Sequence, residues 1–92
     1  MLNTFGAKNP QGITHIPATG NFAIVDYTSD EVYIVNSSGT LQDHWPTTTF
    51  GSTYPSGITY IPATGNFAIV DYSSDEVYIV NSSGVLQTLI GK

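Results

Sequence analysis

The stretch IPATGNFAIVDY occupies Ile16–Tyr27 and returns unchanged at Ile61–Tyr72, 45 residues further along the chain. The two wider copies, Gly12–Gln42 and Gly57–Gln87, differ at only three of 31 aligned positions. Self-similarity at a fixed period of about 20–50 residues is typical of solenoids, propellers and arrays, and about 45 residues is the length of one propeller blade. The repeat therefore predicts two copies of one small structural unit. The differing pairs are His15/Tyr60, Thr28/Ser73 and Thr40/Val85.

Each unit contains four short segments with the composition of β-strands. In the first copy these are GITHI, FAIVDY, EVYIVN and TLQDHW, separated by the turn clusters PATGN, TSD and SSG. No window shows the period of an amphipathic helix. FAIVDY and VYIV are apolar on both faces, which is typical of strands covered on both sides.

These patterns predict an all-β chain of two four-stranded antiparallel propeller blades, with the fourth strands near 40–45 and 85–90. The boundaries that follow are an N-terminal segment at 1–11, the first blade at 12–46, a connection at 47–56 and the second blade at 57–92.

The stretch PQGITHIPATGNFAIVDYTSDEVYIVNSSGTLQ resembles a blade of the NHL-repeat and lactonase-like propellers. The shared features are Pro-x-Gly before the inner strand, a Gly–Asn turn, an apolar strand ending in Asp, a polar turn, a further apolar strand and a final Gly turn. The Trp–Asp pair of WD40 blades and the Gly–Gly pair of kelch blades are both missing. The basic residue of the second NHL turn is also missing, because Asp30 and Glu31 stand there. The resemblance implies a six-bladed propeller.

Two blades leave an apolar flank at each end, and neither copy carries the polar changes of a capping repeat. We therefore expect head-to-tail association until a ring closes. Propellers contain about four to eight blades, and the resemblance favours six, which is a homotrimer. An eight-bladed tetramer is the runner-up. The N-terminal LNTFG is a candidate clasp across the chain junction. The near-identity of the copies fits either a recent duplication or a designed symmetric repeat.

The composition narrows the range of partners. The chain has seven acidic residues, two lysines, no arginine and a formal net charge of −5. It therefore lacks the basic patch with which a protein binds nucleic acids or anionic membranes. It also has no cysteine, which excludes disulfides and thiolate metal sites. The start, MLNTFGAKNP, has neither the basic nor the apolar region of a signal peptide, so cytoplasmic residence is the default expectation.

Acidic residues concentrate in the turns after FAIVDY, and we expect these turns to share one face with the connection between blades. In a trimer that rim would carry eighteen carboxylates, and Ca²⁺ prefers oxygen ligands. The alternative is structural, since Asp and Ser hydrogen-bond their own backbone in turns. Asp26 and Asp71 are expected to cap their turns in this way. The candidate ligands are Asp26, Asp30, Glu31, Asp71, Asp75 and Glu76.

Two histidines and the single tryptophan are further candidates. Three copies of His15 around a ring axis could bind Zn²⁺, or residue 15 could pack against a neighbouring blade. His44 and Trp45 could stack on a sugar, although Trp45 aligns with Ile90, which favours packing.

Three functions follow from these patterns. The first is a non-enzymatic scaffold or interaction module that assembles with itself. The second is a lectin-like propeller with one site between each pair of blades. The third, by resemblance alone, is a Ca²⁺-dependent hydrolase. Catalytic propellers need different residues from different blades, which identical copies do not supply, so we expect no catalysis. The stacking surfaces for the second function would come from Tyr27, Tyr33, Tyr54, Tyr60, Tyr72, Tyr78 and Trp45.

Overall fold

The computed structural model describes residues 6–91, which form two four-stranded antiparallel sheets. We call these the first sheet, β1–β4, and the second sheet, β5–β8. Each sheet has its strands in chain order, which confirms the predicted pair of all-β units. A 3₁₀ turn, Thr48–Phe50, lies in the connection between them. The strands are β1 Pro10–Ile16, β2 Asn21–Asp26, β3 Glu31–Val35, β4 Leu41–Pro46, β5 Pro55–Ile61, β6 Asn66–Asp71, β7 Glu76–Val80 and β8 Leu86–Ile90.

The two sheets repeat each other in register as well as in sequence. Phe22 pairs with Val35 in the first sheet, and Phe67 pairs with Val80 in the second. The first strand of each sheet has an irregularity between its proline and its glycine, at Pro10/Gly12 and at Pro55/Gly57. Strands β1 and β5 begin at Pro10 and Pro55, two residues before the predicted starts of the blades at residues 12 and 57. The first residues of both strands thus lie inside the predicted segments 1–11 and 47–56.

The sheets pack face to face through alternate strand residues. One buried apolar cluster includes members of both sheets, and Trp45 lies at its centre. The indole packs on Phe67 and Phe50, with ring centroids 6.0 and 6.4 Å away, and its Nε1 donates a hydrogen bond to the carbonyl of Ser82 at 3.1 Å. Burying such a cluster is the main favourable contribution to folding. The buried members are Ala23, Val25, Val32, Ile34, Trp45, Phe50, Phe67, Ile69, Tyr78 and Val80.

The innermost strands approach each other closely at two glycines. A Cβ atom on Gly12 would lie 3.0 Å from the Cα of Gly57, which is too close for a side chain. Just beyond, the N–H of Tyr60 donates to the hydroxyl of Thr14 at 3.0 Å. The glycine of the first Pro-x-Gly feature therefore permits this close approach of the two sheets.

The N-terminal segment packs on the first sheet in the same way that the connection between the sheets packs on the second sheet. The hydroxyl oxygen of Tyr33 lies 3.3 Å from the carbonyl oxygen of Gly6, and that of Tyr78 lies 3.4 Å from the carbonyl oxygen of Gly51. Ala7 joins a small buried cluster with Ile24, Tyr33 and Val35 on this outer face. Residues Gly6–Asn9 thus occupy the place of a connection arriving from an earlier blade. Of the predicted clasp LNTFG, residues 2–5 lie outside the described residues.

Two glycines in equivalent turns provide a test of the contact between sheets. Gly84 and Gly39 both have positive φ, 81° and 82°, but an added Cβ meets Trp45 at 2.7 Å only at Gly84. We expect Gly39→Ala to cost about 1–2 kcal/mol from backbone strain alone. Gly84→Ala should cost a further 1–3 kcal/mol or so because it displaces the indole. Urea unfolding followed by circular dichroism, at one protein concentration, measures both. Equal losses would contradict this account of the interface.

Candidate functional site

The acidic turns and the connection between sheets meet at one end of the molecule, as the sequence predicts. The N–H of Thr47 donates to the carbonyl of Asp30 at 2.8 Å, and the hydroxyl of Ser52 donates to Asp71 at 2.6 Å. Tyr27 stacks on Tyr54 of the connection, with ring centroids 3.9 Å apart. This end therefore holds both clusters of acidic candidates.

Asp71 is buried and is occupied by hydrogen bonds from its own fold. Burial by itself raises the pKa of this carboxyl, but four donors outweigh it and hold the pKa well below its ordinary value. Two of the donors, the Ser74 N–H and the Ser73 hydroxyl, belong to the turn. The other two, the Ser52 hydroxyl and the Tyr54 N–H, belong to the connection. Asp71 thus ties the connection to its sheet.

Asp26 performs the same task in the first sheet. Burial alone would raise the pKa of Asp26. Four hydrogen bonds to its carboxylate have the larger, opposite effect, so that the pKa is lowered. The donors are the N–H and hydroxyl of Ser29 and the N–H groups of Asn9 and Lys8. The predicted capping role of both aspartates is present, and each also anchors the segment that leads into its sheet. These oxygens are already used by the fold.

The remaining four carboxylates of this end do not converge. Asp30 is partly buried, and its pKa is raised by burial and then by the charges of Asp26 and Asp71. Glu31 lies 2.8 Å from Nδ1 of His44, and Glu76 accepts a hydrogen bond from Tyr78 at 3.0 Å. Across residues 6–91, no three His, Asp or Glu side chains are arranged to hold a metal ion. A calcium site shared between chains stays a prediction.

The histidine and tryptophan candidates lie apart from one another. His15 is exposed and lies beside Phe22, with ring centroids 5.1 Å apart, on the flank of the first sheet that faces away from the second. The zinc arrangement predicted for three copies of His15 stays a prediction. Trp45 is only 6% exposed, so its indole is a core group and offers no face to a sugar in this chain. Its neighbour His44 is exposed and engages Glu31.

The tyrosines divide into core and surface groups. Tyr33 and Tyr78 are buried in the sheets, which removes them as stacking platforms. Tyr72 is 69% exposed and lies 5.0 Å from Tyr54 in a tilted ring contact. Tyr60 lines a cleft between the sheets.

This cleft of about 540 Å³ lies at the opposite end of the strands from the acidic turns. It lies between the two sheets, where the lectin-like prediction puts a site, and it includes the predicted candidate Tyr60. The asparagines of the lining are not among the predicted site residues, because they lie beside turns. Asn21 and Asn66 begin the second strands of their sheets after a Pro/Gly turn, and Asn81 directly follows β7. Only the packing of one sheet on the other brings them together. The lining comprises Ile16, Asn21, Ile34, Gln42, Asp43, Tyr60, Asn66, Phe67, Asn81, Ser82 and Ser83 together with Ala18, Thr19, Thr64 and Gly65.

Two solved structures are similar to this fold. Hydrazine synthase of Kuenenia stuttgartiensis superimposes with a TM-score of 0.71 at 14% sequence identity, over 90% of this chain and 24% of that chain. A chain of the nidogen/laminin complex superimposes with a TM-score of 0.71 at 20% identity, over 96% of this chain and 34% of that chain. No protein-family model and no curated protein sequence matches this chain.

Both structures contain propellers, and at these identities the likeness concerns the fold alone. The two sheets are therefore β-propeller blades, and the chain spans a quarter to a third of the length of the chains it resembles. In the described part of the chain, no helix is long and apolar enough to cross a membrane.

The lowered pKa of Asp71 predicts a pH-dependent contribution to stability. A carboxyl whose pKa is lower in the folded than in the unfolded state stabilises the fold above its unfolded value, about 3.9, and that contribution is lost as the pH falls towards the folded value. We expect Asp71→Asn to lower the free energy of unfolding at pH 7 by about 2 kcal/mol, since several hydrogen bonds to a charged group are weakened. The deficit should shrink below pH 4 or so, as the wild-type carboxyl protonates. Urea unfolding across this range measures it.

The control is Asp75→Asn, at an exposed position of the same turn. That change should cost much less at either pH. A deficit for Asp71→Asn that stays constant from pH 7 to pH 3 would contradict a role for the ionised carboxyl.

Proposed function

We propose that the chain is a non-enzymatic β-propeller module that assembles with itself, head to tail, into a closed ring. The observation that carries the proposal is the relation between its two free flanks. Each free flank repeats the residues of one side of the contact already made inside the chain. The internal contact is therefore a template for a contact between chains.

The flank at the C-terminal end is the second copy of the surface that bears Trp45. Its residues are equivalent to buried ones in the first sheet, yet several stay exposed. Val70 is 43% exposed whereas Val25 is fully buried, and Ile90 is 53% exposed whereas Trp45 is buried. The residues of this free flank are Ala68, Val70, Val77, Ile79 and Ile90. Their equivalents in the first sheet are, in the same order, Ala23, Val25, Val32, Ile34 and Trp45.

The flank at the N-terminal end repeats the surface that receives Trp45. Ile13 is 60% exposed, while its equivalent Ile58 packs against the core between the sheets. Beside Ile13 a shallow groove of about 280 Å³ runs along Pro10, Gly12 and Ile24. Apart from the exchanges Trp45/Ile90 and Tyr60/His15, the two flanks carry the residue types that fit together inside the chain, which supports a heterologous interface.

Ring closure with two blades per chain permits two, three or four chains, because propellers contain about four to eight blades. The trimer is the form we propose, and the tetramer is the alternative.

The absence of catalysis is part of the proposal, and it is supported by the two copies of the acidic turn, DYTSDE and DYSSDE, which offer the same groups twice. Multi-angle light scattering should give three times the 9.9 kDa chain mass. A mass four times that of the chain would favour the tetramer over the trimer, and a stable monomer would overturn the proposal of ring assembly.

A charge on the free flank tests which surface makes the contact. Val70→Glu introduces a carboxylate where an apolar partner surface is expected, and burying an unpaired charge costs several kcal/mol. The variant should remain folded and shift to the monomer mass. Thr48→Glu adds the same charge at an exposed position of the connection and should leave the oligomer unchanged. Equal effects of the two changes, or none from Val70→Glu, would exclude this flank as the interface.

The difference between Trp45 and Ile90 yields a gain-of-affinity prediction. Trp45 donates to the carbonyl of Ser82, and the equivalent carbonyl on the receiving flank belongs to Ser37. The space is open there, since a Cβ on Gly39 meets nothing within 4 Å. Ile90→Trp should therefore tighten association about tenfold, which corresponds to about 1.4 kcal/mol. Ile90→Ala should weaken it. Dilution followed by mass photometry measures both, and weaker association of the tryptophan variant would contradict equivalence of the two interfaces.

The cleft between the sheets supports a second candidate function, ligand binding between blades. It is concave, combines polar and apolar groups, and falls within the range of about 300–1,000 Å³ usual for ligand sites. Unlike ring assembly, this function needs one chain only.

A further inference from the structure

We propose that the cleft between the first and second sheets binds a neutral polyhydroxylated ligand, which is the chemistry of a glycan. The inference rests on the second candidate function, ligand binding between blades. It does not rest on ring closure, because every residue of the lining belongs to one chain.

The cleft contains polar side chains that the fold does not use. The side-chain amides of Asn21 and Asn66 have no hydrogen-bond partner among residues 6–91, and both lie in the lining. By contrast, Oδ1 of Asn81 accepts from the N–H groups of Ser83 and Val85, both within 3.0 Å, which leaves its amide nitrogen to donate. An amide offers a donor and an acceptor side by side, which matches two neighbouring hydroxyls.

Asp43 adds the single carboxylate of the cleft. Its Oδ1 accepts from the N–H of His44 at 2.9 Å, so Oδ2 is left to accept from a ligand hydroxyl. Hydrogen bonds to a charged acceptor are about twice as strong as neutral ones. One carboxylate among amides and hydroxyls therefore orients a neutral ligand.

The apolar part of the lining suits the C–H face of a sugar ring. Tyr60 is half-buried and lines the cleft, where its ring is the aromatic surface that a ligand can reach. Phe67 and Ile34 are buried and support it from below, and the rings of Tyr60 and Phe67 have centroids 5.3 Å apart. A mixture of aromatic and aliphatic surface with a few directed polar groups is the usual composition of a small-molecule site.

Other ligand classes fit the lining less well. No lysine or arginine lines the cleft, so a phosphate or carboxylate would find no counter-charge and would face Asp43. A metal ion would have one carboxylate and no histidine in the lining. A neutral ligand with several hydroxyls is the class that these groups satisfy.

The repeat supplies a matched comparison within the same chain. The equivalents of Asp43 and Tyr60 are Thr88 and His15. A cleft formed between two chains would therefore have no carboxylate and would contain an imidazole in place of a phenol. The two kinds of cleft differ in chemistry, and the one inside the chain is the site proposed.

The test uses the intact chain and defined probes. Glucose, galactose, mannose, N-acetylglucosamine and their disaccharides are each added at about 10 mM, a concentration that detects even millimolar dissociation constants. Saturation-transfer difference NMR should give signals for at least one probe, and calorimetry with that probe gives its affinity. Asp43→Ala and Asn66→Ala should each weaken binding about tenfold or more, because each removes a hydrogen bond from the ligand.

Two controls separate this proposal from ring assembly. Thr88→Ala changes the equivalent position of the second sheet and should leave the affinity unchanged. Val70→Glu, designed to block association, should also retain binding, because the cleft lies within one chain. The proposal is overturned if no probe gives a signal, if Asp43→Ala and Asn66→Ala bind as well as the wild type, or if Val70→Glu abolishes binding while the chain stays folded.

Discussion

The structure depends on one constraint: each four-stranded sheet is apolar on both faces, and the contact between the two sheets covers only one face of each. Strands β2 and β3 carry apolar residues at consecutive positions, so a sheet built from them has no face suited to water. Packing the sheets together covers one face of each through the cluster around Trp45. Everything else in the molecule, including the exposed flanks and the cleft, follows from what this single contact covers and what it leaves open.

The buried aspartates show how such a stack is held in order. A propeller blade has no covalent tie to its neighbour except the connection, and the connection here is fastened by Asp71 through Ser52 and Tyr54. Asp26 fastens the N-terminal segment in the same way through Lys8 and Asn9. Asp26 and Asp71 thus join neighbouring segments of the chain. Burial raises the pKa of each carboxyl, and hydrogen-bond donors from its turn and from the adjoining segment lower the pKa by more. The oxygens of these two carboxylates are therefore occupied by hydrogen bonds within the chain.

Most of the fold could be predicted from the sequence, because the repeat multiplies weak local signals. The four strands per unit, their order and the turn role of Asp26 and Asp71 all follow from short-range patterns of apolar and turn residues. The fourth strands begin and end within a residue or so of the predicted positions, at Leu41–Pro46 and Leu86–Ile90. A site between blades with Tyr60 as a candidate is among the sequence predictions, but its polar lining could not be predicted, because Asn21, Asn66 and Asn81 are remote in sequence and each has a sufficient local explanation as a turn residue. Likewise, nothing local distinguishes a tryptophan that packs from one that stacks on a ligand, and only the second sheet decides this for Trp45.

The exchange of tryptophan for isoleucine at positions 45 and 90 has a consequence for how such a ring would come apart. The seam within a chain has an indole hydrogen-bonded across it, whereas a seam between chains would have a branched aliphatic group and one polar contact fewer. Strong and weak seams would then alternate around the ring, so the true rotational symmetry is that of the chains and not that of the blades. Such a ring would open at the weak seams and release whole chains of two blades each. An incoming chain could insert only at a seam between two chains, never between the two blades of one chain.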